Sequence, residues 1–510
     1  MSRRNTIIGA GVLLYFVFMI YTLTKTKSPQ NEVSLNSSNK VFLDSPFEHK
    51  SDWRDSETWK NYKSSLKLGR TIDYILNEAS YCTKVKKYQN SHSVEFDHRG
   101  LPLKQDRVVF SHYPDFQLIK QVINNYTTLA NTKSQPGNFF KKTPIERFEP
   151  SITLFINHQI NWHTYHELGK HFLCEGQKYN HIPGAEQLNF KDVIANTMRD
   201  YGKHYSGREH CFNPWTFMPQ TLDLTKTDQC EEFLEDLETN IQNPEIRWIM
   251  KKPRFFHSGR GVEVADQLKA QEIISSANCP WEELYIAQRY IKDPLLINNH
   301  KFDFRVYMFV ASMDPLIVMY HDGFVRLSMS EFDPDSKDKS VHLTNLKVVQ
   351  SSMKNQNLTQ EQQDLLLQDQ SWSYSQFEDF MVQEGLAQRG FVASLRNKMQ
   401  TLMLHITRMN LKYFLRHPGV FELMGLDFIM DKNFNLWFLE ANLSPQISGT
   451  SQQKRDLNTQ LTKHMIDLEY ALLYGADFDS LAKDTNFEFV YDERKKGLSK
   501  YHGLLTEDCL

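Results

Sequence analysis

Between residues 301 and 313 apolar and polar side chains alternate with the period of a β-strand. Phe302, Phe304, Val306, Met308 and Val310 face one way, and Lys301, Asp303, Arg305, Tyr307 and Phe309 face the other. Three charged residues at successive same-face positions therefore line one end of that surface. After the break at Asp314-Pro315, a strand is predicted over 316–320, a turn at His321-Asp322-Gly323, and a return strand over 324–327. Residues 421–430 and 436–440 read as a strand pair joined by the turn signal Asp431-Lys432-Asn433. Further strands are expected over 152–156 and 247–250, and a turn at His181-Ile182-Pro183-Gly184. Helical periodicity appears over 189–201 and over 391–415, where a Met and Leu stripe reads as core. Strands and helices mixed in this way predict an α+β fold.

The N-terminus has a different pattern. Residues 6–23 carry no charge and are flanked by Arg3 and Arg4 on one side and Lys25 and Lys27 on the other. That length is near the minimum for a bilayer span, and no small-residue cleavage site follows, so the run predicts an uncleaved signal anchor. The expected layout is a tail (1–5), a transmembrane anchor (6–23), a polar stem (24–50), an N-terminal extension of unassigned role (51–145), a catalytic domain (146–475) and a C-terminal tail (476–510). The expected placement is a single-pass membrane protein. Equal basic flanks do not fix its orientation. A sequon at Asn442-Leu443-Ser444, within the candidate site, favours a cytosolic catalytic domain.

Composition narrows the possibilities. Lys and Arg number 59 against 62 Asp and Glu, a net charge of −3, which argues against a nucleic-acid partner. Six cysteines lie far apart with no C-x-x-C pair, so reduced, unpaired thiols are the expectation. His158, His163, His166 and His171 with Cys174 lack zinc-site spacing and read as ordinary polar residues.

Two groups of residues carry chemistry. On the strand pair 421–430 and 436–440, a four-residue turn over 431–434 would set Asp427 opposite Phe438 and Gly425 opposite Glu440. Asp427 and Glu440 then become diagonal neighbours, roughly 7–8 Å apart at the backbone. With Asn442 they form an oxygen-only set suited to magnesium that is shared with phosphate. The second group follows residue 250: Lys251, Lys252 and a loop containing Gly259 and Gly261, which can present an ammonium and backbone N–H groups to a polyphosphate. Asp333-Pro334-Asp335 matches the D-x-D of nucleotide-sugar enzymes only weakly.

These segments stand in a familiar order. QKYNHIPG at 177–184, the stretch 248–262, QRYI at 288–291, DPLLI at 293–297, KFDFRVY at 301–307, DGFVR at 322–326, HLTN at 342–345, FELMGLD at 421–427 and WFLEANLSP at 437–445 resemble the tubulin–tyrosine ligase-like family. The resemblance implies an ATP-grasp-like, multi-lobed catalytic domain with ATP and Mg²⁺ as cofactors. It implies that Lys252 and Ser258, Gly259, Arg260 and Gly261 hold phosphates and that Gln288, Arg289, Tyr290 and Ile291 hold adenine. Lys301, Asp303, Thr344 and Asn345 would complete the nucleotide site, and Asp427, Glu440 and Asn442 would bind the metal. Arg305 and Arg326 would meet the reacting carboxylate or the incoming amino acid.

Within that family the chain most resembles tubulin polyglutamylases, which implies a ligase adding glutamate to tubulin or another acidic protein. Lys251, Lys252 and Arg254, with Arg494, Lys495 and Lys496, are candidates for a basic landing surface. One departure concerns the amino acid. The family usually carries a lysine about sixteen residues beyond the last metal ligand, where this chain has Asn458, with Lys454 and Lys463 nearby. Two other readings remain: a luminal type II glycosyltransferase using Asp333 and Asp335, and an inactive membrane-to-microtubule adaptor.

Overall fold

The computed structural model describes residues 78–495 except 113–116, 131–150, 158–172, 206–213, 244–246, 254–261, 266, 277, 337–340, 342–343, 345–369, 444 and 448–450. Three sheets and the helices on them give the expected α+β architecture.

The first sheet joins β1 (Val94–Phe96), β2 (Pro102–His112), β3 (Thr127–Ala130), β4 (Ile152–Asn157) and β5 (Lys178–Tyr179). β2 pairs in parallel with β3 and β4, and β4 with β5. α1 (Glu78–Ser91) precedes this sheet, and α2 (Gln117–Asn124) connects β2 to β3.

A four-stranded antiparallel sheet has the order β6 (Thr221–Asp223), β9 (Ile286–Arg289), β7 (Trp248–Lys251), β8 (Val262–Ala265). Its apolar face buries Leu222, Trp248, Met250 and Ala287 against Phe233 and Leu237 of α4 (Thr227–Asn240) and Ile273 of α5 (Gln267–Ser276). α3 (Lys191–Tyr205) lies beside β6.

The third sheet dominates the structure. β11 (His300–Met313) and β12 (Leu316–Glu331) form a long hairpin, with β10 (Leu296–Ile297) paired to β11 and β13 (Ser371–Trp372) and β16 (Glu488–Asp492) paired to β12, and β14 (Glu422–Met430) and β15 (Leu436–Asn442) continue the sheet from β11. The alternation read along 301–313 is realised. Phe302 and Phe304 set their rings at steep angles against Phe377 of α6 (Tyr374–Gln383), while Met308 meets Thr407 of α7 (Phe391–Asn410). The opposite face changes character along its length. Phe309 enters a core with Ile466 and Tyr470 of α8 (Gln452–Tyr474), whereas Asp303 and Arg305 stay with other charged groups. One strand thus supplies both a core anchor and a site wall. Tyr126 donates a 2.5 Å hydrogen bond to Asp467 of α8, so the segment after α2 is fastened to the same helix.

Two glycines explain local departures from the expected pattern. His321-Asp322-Gly323 is not a turn; β12 runs straight through it with a register shift beside Arg305 and Val306. A Cβ at Gly323 would lie 2.3 Å from the Arg305 carbonyl oxygen, so the close backbone approach of this bulge requires glycine. The turn ending at Gly184 is as expected. Gly184 has φ +96°, and a Cβ there would sit 1.7 Å from the Tyr413 carbonyl oxygen.

Two expectations are overturned. Cys82 is bonded to Cys174 and Cys230 to Cys279, with Cα separations of 5.4 and 5.6 Å, and no cysteine is free among the described residues. The pairs are 92 and 49 residues apart in sequence, so only the tertiary fold reveals them. The single-pass membrane placement is also corrected. No helix among the described residues is long and apolar enough to cross a membrane, and the 6–23 run on which that expectation rested lies outside the described residues.

Candidate active site

The charged face of β11 continues across its neighbours. Pairing places Asp303 beside Arg326 of β12, and Arg305 beside Asp427 of β14. Arg305 donates through Nε and Nη2 to the two Asp427 oxygens at 2.5 and 2.9 Å. Arg326 grips Asp303 in the same two-pronged way at 2.6 and 2.7 Å and also reaches Asp427 Oδ2 at 3.0 Å. Thr344 Oγ1 donates to Asp303 at 2.5 Å. The row Asp303–Arg326–Asp427–Arg305 is nearly dry: Asp427 is 4% exposed and Arg326 13%. Charges removed from water in this manner hold only because each is answered by another.

The register of β14 and β15 differs from the four-residue-turn expectation. Asp427 faces Glu440 directly and Gly425 faces Asn442, while Phe428 faces Phe438. The Asp431 side chain accepts hydrogen bonds from the backbone N–H groups of Asn433 and Asn435 and from the Trp437 indole, and Phe434 takes a left-handed φ of +63°. The turn is therefore one residue longer than expected. A bulge between Asp427 and Phe428 then turns Phe438 to the apolar face, against Phe428, and leaves Glu440 and Asn442 on the Asp427 face. The carboxylates meet more squarely than a diagonal pairing allows.

Glu440 receives Lys191 Nζ at 2.8 Å, and the Asn442 amide donates to it at 3.3 Å. Burial alone would raise the Glu440 carboxyl, but the Lys191 ammonium outweighs it and holds the group far below the usual carboxylate range. Lys191 escaped the sequence reading. Its signal is a lysine at the first position of a helix, where the macrodipole disfavours a cation unless something else holds it.

Across from this pair, Lys251 donates to Gln288 Oε1 at 2.6 Å, and Gln288 donates to Thr221 at 2.9 Å. Lys301 lies 5.0 Å from the centre of the Tyr290 ring, and Lys454 5.5 Å from that of Phe324. Burial pulls each of these three ammoniums down to about 8. Lys191 adds to the effect at Lys251, and Arg326 and Arg305 add to it at Lys454. Among the described residues none of the three has an ion-pair partner. Desolvated cations create a demand for an anion.

Several expected residues are placed elsewhere. Lys252 is turned toward Glu283 and the Tyr285 ring, so Lys251 rather than Lys252 reaches the group. Arg289 points to the opposite face of its strand, gripping Asp236 at 2.8 and 3.0 Å over the Trp248 ring. Ile291 is half-buried just past β9. Ser258, Gly259, Arg260, Gly261 and Asn345 lie outside the described residues, as do Arg254 and Lys496. Arg494 and Lys495 pair with Asp479 and Asp492, which removes them from a landing surface. Asp335 is bound by Arg247, and Asp333 accepts the Asp335 N–H, so neither joins the carboxylate row. Of the three residues weighed near the departure from family pattern, Lys454 is beside the arginines. Asn458 accepts from the Tyr307 hydroxyl, and Lys463 pairs with Asp467.

The donor chemistry fits a hard divalent cation. Asp427, Glu440 and Asn442 offer oxygen alone, and both carboxylates are already answered by positive groups. Among the described residues no group of three His, Cys, Asp or Glu is arranged to hold a metal unaided, so an ion here would draw its other ligands from phosphate and water.

A family model, Tubulin-tyrosine ligase family, matches residues 170–475. Tubulin monoglutamylase TTLL4 of Homo sapiens is 27% identical over 313 residues, covering 59% of this chain and 24% of the relative. Protein polyglycylase TTLL10 of Macaca fascicularis is 28% identical over 316 residues, 57% of this chain and 48% of the relative. Probable tubulin polyglutamylase TTLL9 of Mus musculus is 27% identical over 342 residues, 59% and 70% respectively. The chain thus spans about a quarter to a half of the TTLL4 and TTLL10 relatives. The family match covers more than half the chain and contains Lys191, Lys251, Arg305, Arg326, Asp427 and Glu440: this protein belongs to the tubulin-tyrosine ligase family.

Proposed function

We propose that the chain is an ATP-dependent ligase that joins an amino acid, glutamate in the first place, to a carboxylate of an acidic protein through an acyl phosphate. The observation that supports it most is an oxygen-only trio, Asp427, Glu440 and Asn442, on one strand pair, with Glu440 in electrostatic reach of the desolvated Lys251 and Lys251 in turn of Lys301. That is the charge pattern a magnesium-bound triphosphate requires.

Magnesium bound at the trio would neutralise phosphate charge and orient the terminal phosphoryl group. Lys251 and Lys301 would hold phosphate oxygens, with Gln288 and the Tyr290 ring at the nucleotide's far end. Lys191, paired with Glu440, would add positive charge to the same site. A carboxylate is a poor electrophile, and transfer of the terminal phosphoryl group converts it to an acyl phosphate. An amine then displaces phosphate and leaves an amide. Arg305 and Arg326 would stabilise the oxyanion of that second step. Lys454, with both guanidiniums nearby, would hold the carboxylate of the incoming amino acid.

The direct assay incubates the full chain with ATP, Mg²⁺, a glutamate-rich tail such as that of tubulin, and labelled glutamate, glycine or tyrosine. Glutamate incorporation matched by release of ADP and phosphate is expected. Incorporation of glycine or tyrosine alone would contradict the amino-acid assignment. Sugar transfer dependent on Asp333 and Asp335 would contradict the ligase itself.

The depressed lysines give a pH prediction. Lys251 has a folded value of about 8 against an ordinary value of 10.5, so it loses its proton in the free enzyme as pH rises through 8, and a bound triphosphate restores the charge. ATP affinity therefore falls between pH 8 and 10, because binding must take up a proton. Lys251→Met weakens binding at pH 7 by on the order of tenfold, about 1.4 kcal/mol, and lessens the slope of the profile, the remaining dependence coming from Lys301. Lys252→Met keeps the wild-type profile. Calorimetric titration across this range checks both, and the reverse pattern would exchange the roles of the two lysines.

A further inference from the structure

We propose that this enzyme matures in an oxidising compartment of the secretory route. The inference rests on the cysteines.

All four cysteines among the described residues are paired. Cys82 on α1 is bonded to Cys174, just ahead of β5, and Cys230 on α4 to Cys279, beyond α5. The two bonds therefore lie beside different sheets. Neither joins the carboxylate row or the lysines facing it, so they are cross-links and not redox catalysts. Neither pair belongs to a metal-binding group among the described residues. Cys230 is completely buried, and Cys174 is 6% exposed. In a reducing cytosol buried cysteines persist as free thiols, and paired structural cysteines are rare there. Loops of 92 and 49 residues are also the kind that a cross-link constrains most in the unfolded chain.

Formation of each bond converts two thiols to one disulfide with loss of two protons and two electrons. The electrons pass by thiol–disulfide exchange to a disulfide-bearing oxidase, which is reduced to its dithiol. The secretory route supplies such oxidants.

A second feature agrees. Asn125-Tyr126-Thr127 is an N-glycosylation sequon, and Asn125 is exposed in the turn between α2 and β3. The sequon at Asn442 is followed by Pro445, which disfavours its use.

The test uses the full chain expressed in cultured animal cells, with thiols capped by N-ethylmaleimide under denaturing conditions at lysis. A non-reduced digest is then read by mass spectrometry. Peptides linking Cys82 to Cys174 and Cys230 to Cys279 are expected, with a glycan on Asn125 and resistance to protease added outside intact microsomes. N-ethylmaleimide on all four cysteines, or digestion of the domain by external protease, would overturn the proposal. Neither readout depends on catalysis. A disulfide-linked, protected enzyme that incorporates no amino acid would defeat the ligase reading alone, and a reduced but active one would defeat only the compartment.

Discussion

Glu440→Gln abolishes ATP-dependent amino-acid incorporation and leaves the fold in place. The substitution keeps the volume and the strand, but it removes the charge that faces Asp427 across β14 and β15. Lys191 loses its partner, at a small cost in stability because the Glu440–Lys191 pair is 27% exposed on both sides and partly screened. The reaction loses far more. A metal's stabilisation of phosphoryl transfer is worth several kcal/mol, and about 4 kcal/mol corresponds to on the order of a thousandfold in rate. Incorporation is measured with labelled glutamate, and folding by urea denaturation. A variant with wild-type activity would remove Glu440 from the mechanism.

Arg326→Met produces the second large effect, on stability as well as activity. The guanidinium neutralises Asp303 through two hydrogen bonds and shares Asp427 with Arg305. Its loss leaves Asp303, 9% exposed, with Thr344 as its remaining hydrogen-bond donor among the described side chains. Breaking a buried pair by removing one partner costs about 3–5 kcal/mol. The double variant Arg326→Met/Asp303→Asn removes the orphaned charge and recovers a large part of that stability, yet it recovers no activity, because the oxyanion still lacks one of its two guanidiniums. Urea midpoints for the two single variants and the double variant give the coupling. A strictly additive double variant would show that the pair does not act as a unit.

Much of the site was legible from strand alternation alone. The period of two along 301–313 put Asp303 and Arg305 on one face and Phe302, Phe304, Val306 and Met308 on the other, and packing against α6 and α7 agrees. Asp427, Glu440 and Asn442 stand out in the sequence because they are polar side chains in an otherwise apolar strand pair. Their register was misread by one step because a left-handed Phe434 and a bulge beside Asp427 depend on local backbone choices that a turn signal does not encode. Gly323 was taken for a turn for the same reason: glycine serves turns and bulges alike.

The remaining misreadings concern residues joined only by tertiary structure. Lys251 and Lys252 are adjacent and chemically identical, and only the pairing of β7 with β9 decides which of them meets Gln288. Lys191 reaches Glu440 from a helix nearly 250 residues earlier in the chain. The disulfides join cysteines whose sequence spacing has no motif. The family resemblance, by contrast, was carried by ordered short blocks, and the family match spans the same blocks from 177 to 445.

The proposed chemistry requires a single physical arrangement, a divalent cation held between Asp427, Glu440 and Asn442 and a triphosphate gripped by Lys251. Titrating ATP into the full chain by calorimetry, with and without Mg²⁺, tests it most directly. Tight binding that requires Mg²⁺ and is lost in both Asp427→Asn and Glu440→Gln is the expected result. ATP binding of equal strength without the metal, or unchanged in those two variants, would contradict it.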